Sequence, residues 1–132
     1  MMKYFTIEEL TRTSKPYPNV PNEEQIKNLT NLVEKVLDPI REEIGSPITV
    51  SSGFRSWKVN KAVGGVDSSQ HTKGEAVDLV CNNNAKLFEL IQKKGLYDQL
   101  IWEYGTDRCP AWVHVSLKRI GTNRKQILHI KK

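Results

Sequence analysis

Cysteine is scarce in this chain of 132 residues: Cys81 and Cys109 are the only two. Two cysteines so far apart exclude a cysteine-only zinc cluster. A disulfide framework is also unnecessary, because a domain of this length buries about two-thirds of the surface its unfolded chain exposes. No stretch approaches the ~20 consecutive apolar residues of a membrane span. Met1 to Ser14 lacks the apolar centre of a secretory signal, so the chain is expected to be made in the cytoplasm with both cysteines as free thiols. Internal repeats and low-complexity tracts are missing too. With 38% hydrophobic and 27% charged residues, the composition excludes a disordered or fibrous chain. At roughly 100–200 residues per domain, residues 1–132 are expected to form a single domain, working as a monomer.

Acidic residues are absent from Lys118 to Lys132, where six basic residues lie; the residues before them are nearly neutral. A basic edge attracts nucleic acid, anionic membrane or anionic wall polymer, or simply keeps the surface solvated. No aromatic residue interleaves with these cations to stack on bases, so no specific nucleic-acid partner is expected.

Helix signals come first. Thr6-Ile7-Glu8-Glu9 reads as a capping box. Three prolines between Ser14 and Pro21 require an extended connection. Asn22 caps a long helix whose apolar face is Ile26, Leu29, Leu32, Val33, Val36, Leu37 and Ile40. Pro39 should kink it or restart it behind Asp38, and Gly45 should end it. After Pro47 the period changes to that of strands. Ile48–Ser51, Ala76–Cys81, Gln99–Tyr104, Trp112–Leu117 and Gln126–Ile130 read as strands. Short helices are expected over Ser56–Val63 and from about Ala85 to Lys94, the second capped within Asn82-Asn83-Asn84. Helices early and strands late predict an α+β fold: a central antiparallel sheet with the N-terminal helices packed on it.

Three histidines are present: His71, His114 and His129. Asp78 sits between Ala76-Val77 and Leu79-Val80, where an ionised carboxylate is costly unless it is paired or bound to a metal. On a strand, Trp112, His114 and Ser116 share one face and Val113, Val115 and Leu117 the other. The valine face belongs to the core, so His114 looks the opposite way. A lone strand histidine commonly makes a structural hydrogen bond. Two imidazoles and a carboxylate also compose a familiar catalytic zinc set, with a fourth position left for water.

Ser69-x-His71-x-x-Gly74-x-Ala76-x-Asp78, followed by Trp112-x-His114, closely resembles the zinc D-Ala-D-Ala carboxypeptidase family. That family includes the vancomycin-resistance D,D-dipeptidases and the phage L-alanyl-D-glutamate endolysins, and it shares the hedgehog/DD-peptidase fold. Ser52-Gly53-Phe54-Arg55-Ser56, Val59-Asn60, Gly64-Gly65 and Leu100-Ile101-x-Glu103 are similar as well. The resemblance implies one zinc per chain, held by His71, Asp78 and His114. It implies that Arg55 holds a substrate oxygen or steadies an oxyanion, and that Ser69, with Gln70 beside it, contacts substrate. Gly53 and Gly74 are read as positions where the backbone turns or approaches closely.

One position departs from the pattern. Many members carry an acid three residues before the last histidine; here that residue is Ala111. Glu103, in an apolar strand expected to pair with Trp112–Leu117, is the favoured base, and Asp107 is the alternative. His129 is read as structural or exposed. The resemblance thus implies a zinc metallopeptidase acting on peptidoglycan stem peptides, at a D-Ala-D-Ala or an L-Ala-D-Glu bond. A phage or prophage origin would carry such a chain to the cell wall. The missing acid at Ala111 keeps open a catalytically inactive, zinc-retaining wall-binding module.

Overall fold

Each early helix starts at a side chain that satisfies its free N–H groups. A computed structural model of the protein describes residues 2–131. In it the Thr6 hydroxyl accepts the Glu9 N–H and opens α1 (Ile7–Leu10). Residues 12–22 carry no helix or strand, as their prolines require. Asn22 and Gln25 then form a complete capping box at the start of α2 (Glu23–Leu32), with both bonds at 2.8 Å.

Pro39 has no N–H to return to the carbonyl four residues back. The helix absorbs this one turn early. Val33–Leu37 winds as a wider π turn, in which the Asp38 N–H reaches Val33 O, and α3 (Asp38–Ile44) restarts with Pro39 in its first turn. Gly45, at φ 71°, ends it.

The strands are β1 (Thr49–Ser52), β2 (Ala76–Val80), β3 (Gln99–Glu103), β4 (Trp112–Ser116) and β5 (Gln126–Ile130). They lie in the order β1-β2-β4-β3-β5. Between them come α4 (Trp57–Ala62), a 3₁₀ turn (Gln70–Lys73) and α5 (Asn84–Lys94). The α+β class stands. The sheet is mixed, however, and not antiparallel throughout: β5 runs parallel to β3. The chain leaves β4 through residues 117–125 and crosses to the far side of β3, which a tight hairpin could not do.

Strand alternation sorts the two faces. Val50, Val77, Leu79, Leu100, Val113 and Val115 join Leu29, Leu32, Val36, Ile40, Leu87 and Ile91 in one core. The opposite face carries a row in direct register: Ser52, Asp78, His114 and Ile101, on β1, β2, β4 and β3. Burial of the valines therefore dictates that Asp78 and His114 face away from the helices, since a slip of one residue would exchange the sets. Gly53 follows β1 where a Cβ would lie 2.2 Å from Leu10 O, so only glycine fits.

Asp98 ties the loops to the sheet. Its carboxylate is fully buried and accepts the Arg124 backbone N–H (2.8 Å), Arg124 Nη2 (2.7 Å) and Gln70 Nε2 (2.9 Å). Burial alone would push this carboxyl up; the bonds from Arg124 and Gln70 outweigh it and bring it down to about 2. Asp98→Asn should therefore cost about 2 kcal/mol or more at pH 7. An unfolded aspartate titrates near ~3.9, so this stabilisation is complete above that pH and is lost as pH falls toward the folded value. Urea unfolding should show a wide gap between wild type and variant at pH 7 and a shrunken one near pH 3. Equal gaps would deny the carboxylate its ionic role.

Candidate metal centre

The first candidate ligand is set by a short turn. Ser69 Oγ accepts the His71 N–H (3.2 Å), and Gly74 closes the turn in the left-handed region at φ 73°. The Arg55 N–H donates to His71 O (3.1 Å), docking the turn against the segment after β1. His71 Nδ1 lies 2.8 Å from Gly53 O. A carbonyl can only accept, so the ring proton is on Nδ1 and the Nε2 lone pair is left free.

Asp78 and His114 are cross-strand partners at the centre of the sheet. Asp78 Oδ1 lies 3.0 Å from His114 Nδ1 and 3.5 Å from His71 Nε2. The ligating atoms of all three residues fall within 4.8 Å of one another. Tetrahedral zinc with bonds of ~2.0–2.2 Å separates its ligands by roughly 3.3–3.6 Å, so small movements complete the set. All three are buried, with exposures of 4%, 8% and 9% for His71, Asp78 and His114. Burial would raise the Asp78 carboxyl, but the hydrogen bond from His114 and the approach of the His71 ring outweigh it and hold the group well below the usual carboxylate range. An ionised carboxylate and two imidazoles match the donor chemistry zinc prefers.

Arg55 packs over the other carboxylate oxygen: Nη2 is 3.6 Å from Asp78 Oδ2. Its Nε donates to Ser52 Oγ (3.1 Å) and its Nη1 to Asn60 Oδ1 (3.3 Å). Glu103 ends β3 opposite Trp112, whose indole N–H donates to Glu103 Oε2 at 2.8 Å. Burial, with the Asp78 charge adding to it, raises the Glu103 carboxyl; the Trp112 bond and the two imidazoles only partly offset this. Asp107 lies exposed on the β3–β4 connection, bonded to Lys131 Nζ at 3.2 Å. The Ala111 N–H donates to Glu103 O (3.0 Å), so Glu103 sits across the ladder from the residue that lacks the acid.

The fold thus brings His71, Asp78, His114, Arg55 and Glu103 together and leaves Asp107 outside. Ser69 and Gln70 line a cavity of about 490 Å³ that reaches His114. Gln70 Nε2 is bound to Asp98, and Gln70 Oε1 is buried with no partner among the described residues. His129 is exposed on β5, stacked on Trp102 at 5.2 Å, on the helix-covered side of the sheet. Cys81 and Cys109 are free thiols outside the cluster.

Three pairings at the site are invisible to local sequence. Trp112 was placed on the His114 face by alternation, but its bond to Glu103 depends on strand register. Asn60 reaches Arg55 only because α4 folds back. Asp98 and Arg124 are 26 residues apart, and nothing local links them. The basic residues after Leu117 also separate. Lys118 and Arg124 reach the cavity, Arg119 pairs with Glu24 on α2, Lys131 pairs with Asp107, and Lys132 lies outside the described residues.

A protein-family model described as Peptidase M15 matches residues 3–116. The match spans α1 to the end of β4 and contains every candidate ligand, Arg55 and Glu103. No match to a curated protein was found.

Purified protein should carry about one zinc per chain. His114→Ala should remove most of it, and His129→Ala should leave it unchanged, as read by elemental analysis after gel filtration. Equal loss in both variants would overturn the ligand set.

Proposed function

The chain belongs to the peptidase M15 family, and from that premise we propose that it is a zinc-dependent peptidase hydrolysing the stem peptides of peptidoglycan. The observation that supports the reading is the buried His71–Asp78–His114 cluster with the Glu103 carboxylate beside it. The bond cut would be D-Ala-D-Ala, by a carboxypeptidase, or L-Ala-D-Glu, by an endopeptidase. The chain would act as a monomer at the cell wall, in the manner of a phage or prophage lysin.

Zinc, when bound by His71, Asp78 and His114, supplies a Lewis acid that polarises a peptide carbonyl and acidifies water. The remaining work falls to side chains. Gly53 O fixes the His71 tautomer, and the bond from His114, with the Arg55 guanidinium 3.6 Å away, keeps Asp78 anionic in its buried place. Trp112 holds Glu103 Oε2, which orients the carboxylate and leaves Oε1 to accept a proton from water. Glu103 then returns that proton to the leaving amine. Its raised pKa narrows the gap between the proton it takes and the one it gives. Arg55, fixed by Ser52 and Asn60, presents a charged, planar group toward developing oxyanion charge.

Glu103→Gln should fold, keep its zinc and lose roughly 10²–10⁴ in rate on purified peptidoglycan, followed by release of D-alanine or of new amino groups. Asp107→Asn should be mild. A dead Asp107 variant beside an active Glu103 variant would move the base to the loop. Zinc-loaded wild type with no turnover on any stem-peptide bond would favour a wall-binding module.

Arg55→Lys keeps the charge but loses the planar fork. It should retain zinc and lower kcat by about tenfold or more. Full activity would reduce Arg55 to a structural partner of Asp78.

A further inference from the structure

The cavity beside His114 has a chemical character that the metal centre does not explain. It runs along β3 and β4 away from Glu103, past Ile101 to Gln99, and its far wall carries Lys73, Lys118 and Arg124. This wall is held in place. The Lys118 N–H donates to Asn123 Oδ1 (2.8 Å), Arg119 Nε donates to Asn28 Oδ1 on α2 (2.9 Å), and Arg124 is clamped to Asp98 through its backbone and side chain. Two carboxylates face the three cations. Asp98 is bonded by Arg124 and Gln70 and lies 3.9 Å from Lys118 Nζ, and Glu75 lies near Lys73, Lys118 and Gln70. Three positive charges against two negative ones leave one positive charge over, which suits a monoanion and not a polyanion.

The distance to the metal centre is short. Ile101 is the direct partner of His114, and Gln99 lies two residues further along the strand. At about 3.3–3.4 Å per residue this is roughly 7 Å, the span of two extended residues of a bound peptide.

We propose that Lys118 and Arg124, with Lys73 at the rim, form a subsite for one substrate carboxylate within about two residues of the scissile bond. The inference rests on the peptidase reading above and narrows it to peptides anionic on that side. The carboxylate is either a C-terminus or an acidic side chain.

Lys118 is the residue to change, since Arg124 anchors buried Asp98 through its backbone N–H, Nε and Nη2, whereas Lys118 Nζ stands 3.9 Å from that carboxylate. Zinc-loaded wild type, Lys118→Gln and Lys118→Glu would be compared on three acetylated peptides: one ending in a free carboxylate two residues after the bond, its carboxamide, and that carboxamide with glutamate at the same place. Wild type should favour a carboxylate peptide over the plain carboxamide by about tenfold or more, through KM. Lys118→Gln should bring the ratio toward one, and Lys118→Glu should invert it. Whichever peptide shows the Lys118-dependent ratio identifies the source of the carboxylate. A wild-type ratio of one, or a ratio that Lys118→Gln leaves unchanged, would overturn the subsite.

If wild type cleaves none of the peptides, that result counts against the peptidase reading and not against the subsite, which a titration of the same zinc-loaded proteins then judges. N-acetylglycine, with N-acetylglycinamide as control, would be followed at the Lys118 and Arg124 backbone amides by NMR. A dissociation constant weakened about tenfold in Lys118→Gln supports the subsite. An unchanged one overturns it, because the carboxylate would then be bound by zinc alone.

Discussion

An ionised carboxylate in the middle of a β-sheet must be compensated, and much of this molecule is the compensation for Asp78. Its neighbours along β2 are core residues, so the side chain has one direction open to it, away from the helices. There it meets His114 across the ladder, His71 from the 3₁₀ turn and Arg55 from the segment after β1. Each of these three has its own support: the strand pairing, the Gly53 carbonyl, and the Ser52–Asn60 pair. The segment containing Gly53 also passes so close to Leu10 that it docks α1 onto the same corner. Removing charge from Asp78 would therefore leave two imidazoles and a guanidinium crowded in a buried space with nothing to gather them.

A second centre of the same kind stands at the other end of the cleft. Asp98, also buried, gathers Arg124 and Gln70 as Asp78 gathers its own partners. Gln70 belongs to the turn that carries His71, so one short segment is pinned by both carboxylates. The Gln70 amide nitrogen is committed to Asp98, and its oxygen is buried with no partner among the described residues.

Local rules carried most of the element reading. Asn22, Ser56 and Asn83 cap helices because their side chains accept N–H groups three residues on, and the glycines at 45 and 95 end helices at positive φ. Two members of the candidate site stood out by alternation, Asp78 between valine and leucine and His114 among valines, whereas their grouping with His71 as one ligand set and the role of Arg55 rested on the family resemblance. What stayed hidden depends on pairing between distant segments. The parallel placement of β5 follows from the path of residues 117–125, and periodicity carries no information about strand direction. The π turn before Pro39 was likewise unreadable, since proline announces a lost hydrogen bond without saying which turn will widen. The reach of Lys118 and Arg124 into the cleft depends on Asp98, whose sequence neighbours give no hint of it.

The strand order also has a temporal meaning. β4 lies at the centre of the sheet, between β2 and β3, yet it is the second-last strand to leave the ribosome. The β1–β2 pair can form as soon as residue 80 is available, but β3 has no neighbour until Trp112–Ser116 emerges. A nascent chain therefore carries His71 and Asp78, correctly alternating, through the synthesis of α5 and β3 with no third ligand beside them. The same strand that joins the two halves of the sheet delivers His114, and Val113 and Val115 close the core in that step. Closure of the core between the two halves of the sheet and completion of the candidate metal-binding set are thus one event, and a chain interrupted before β4 has neither.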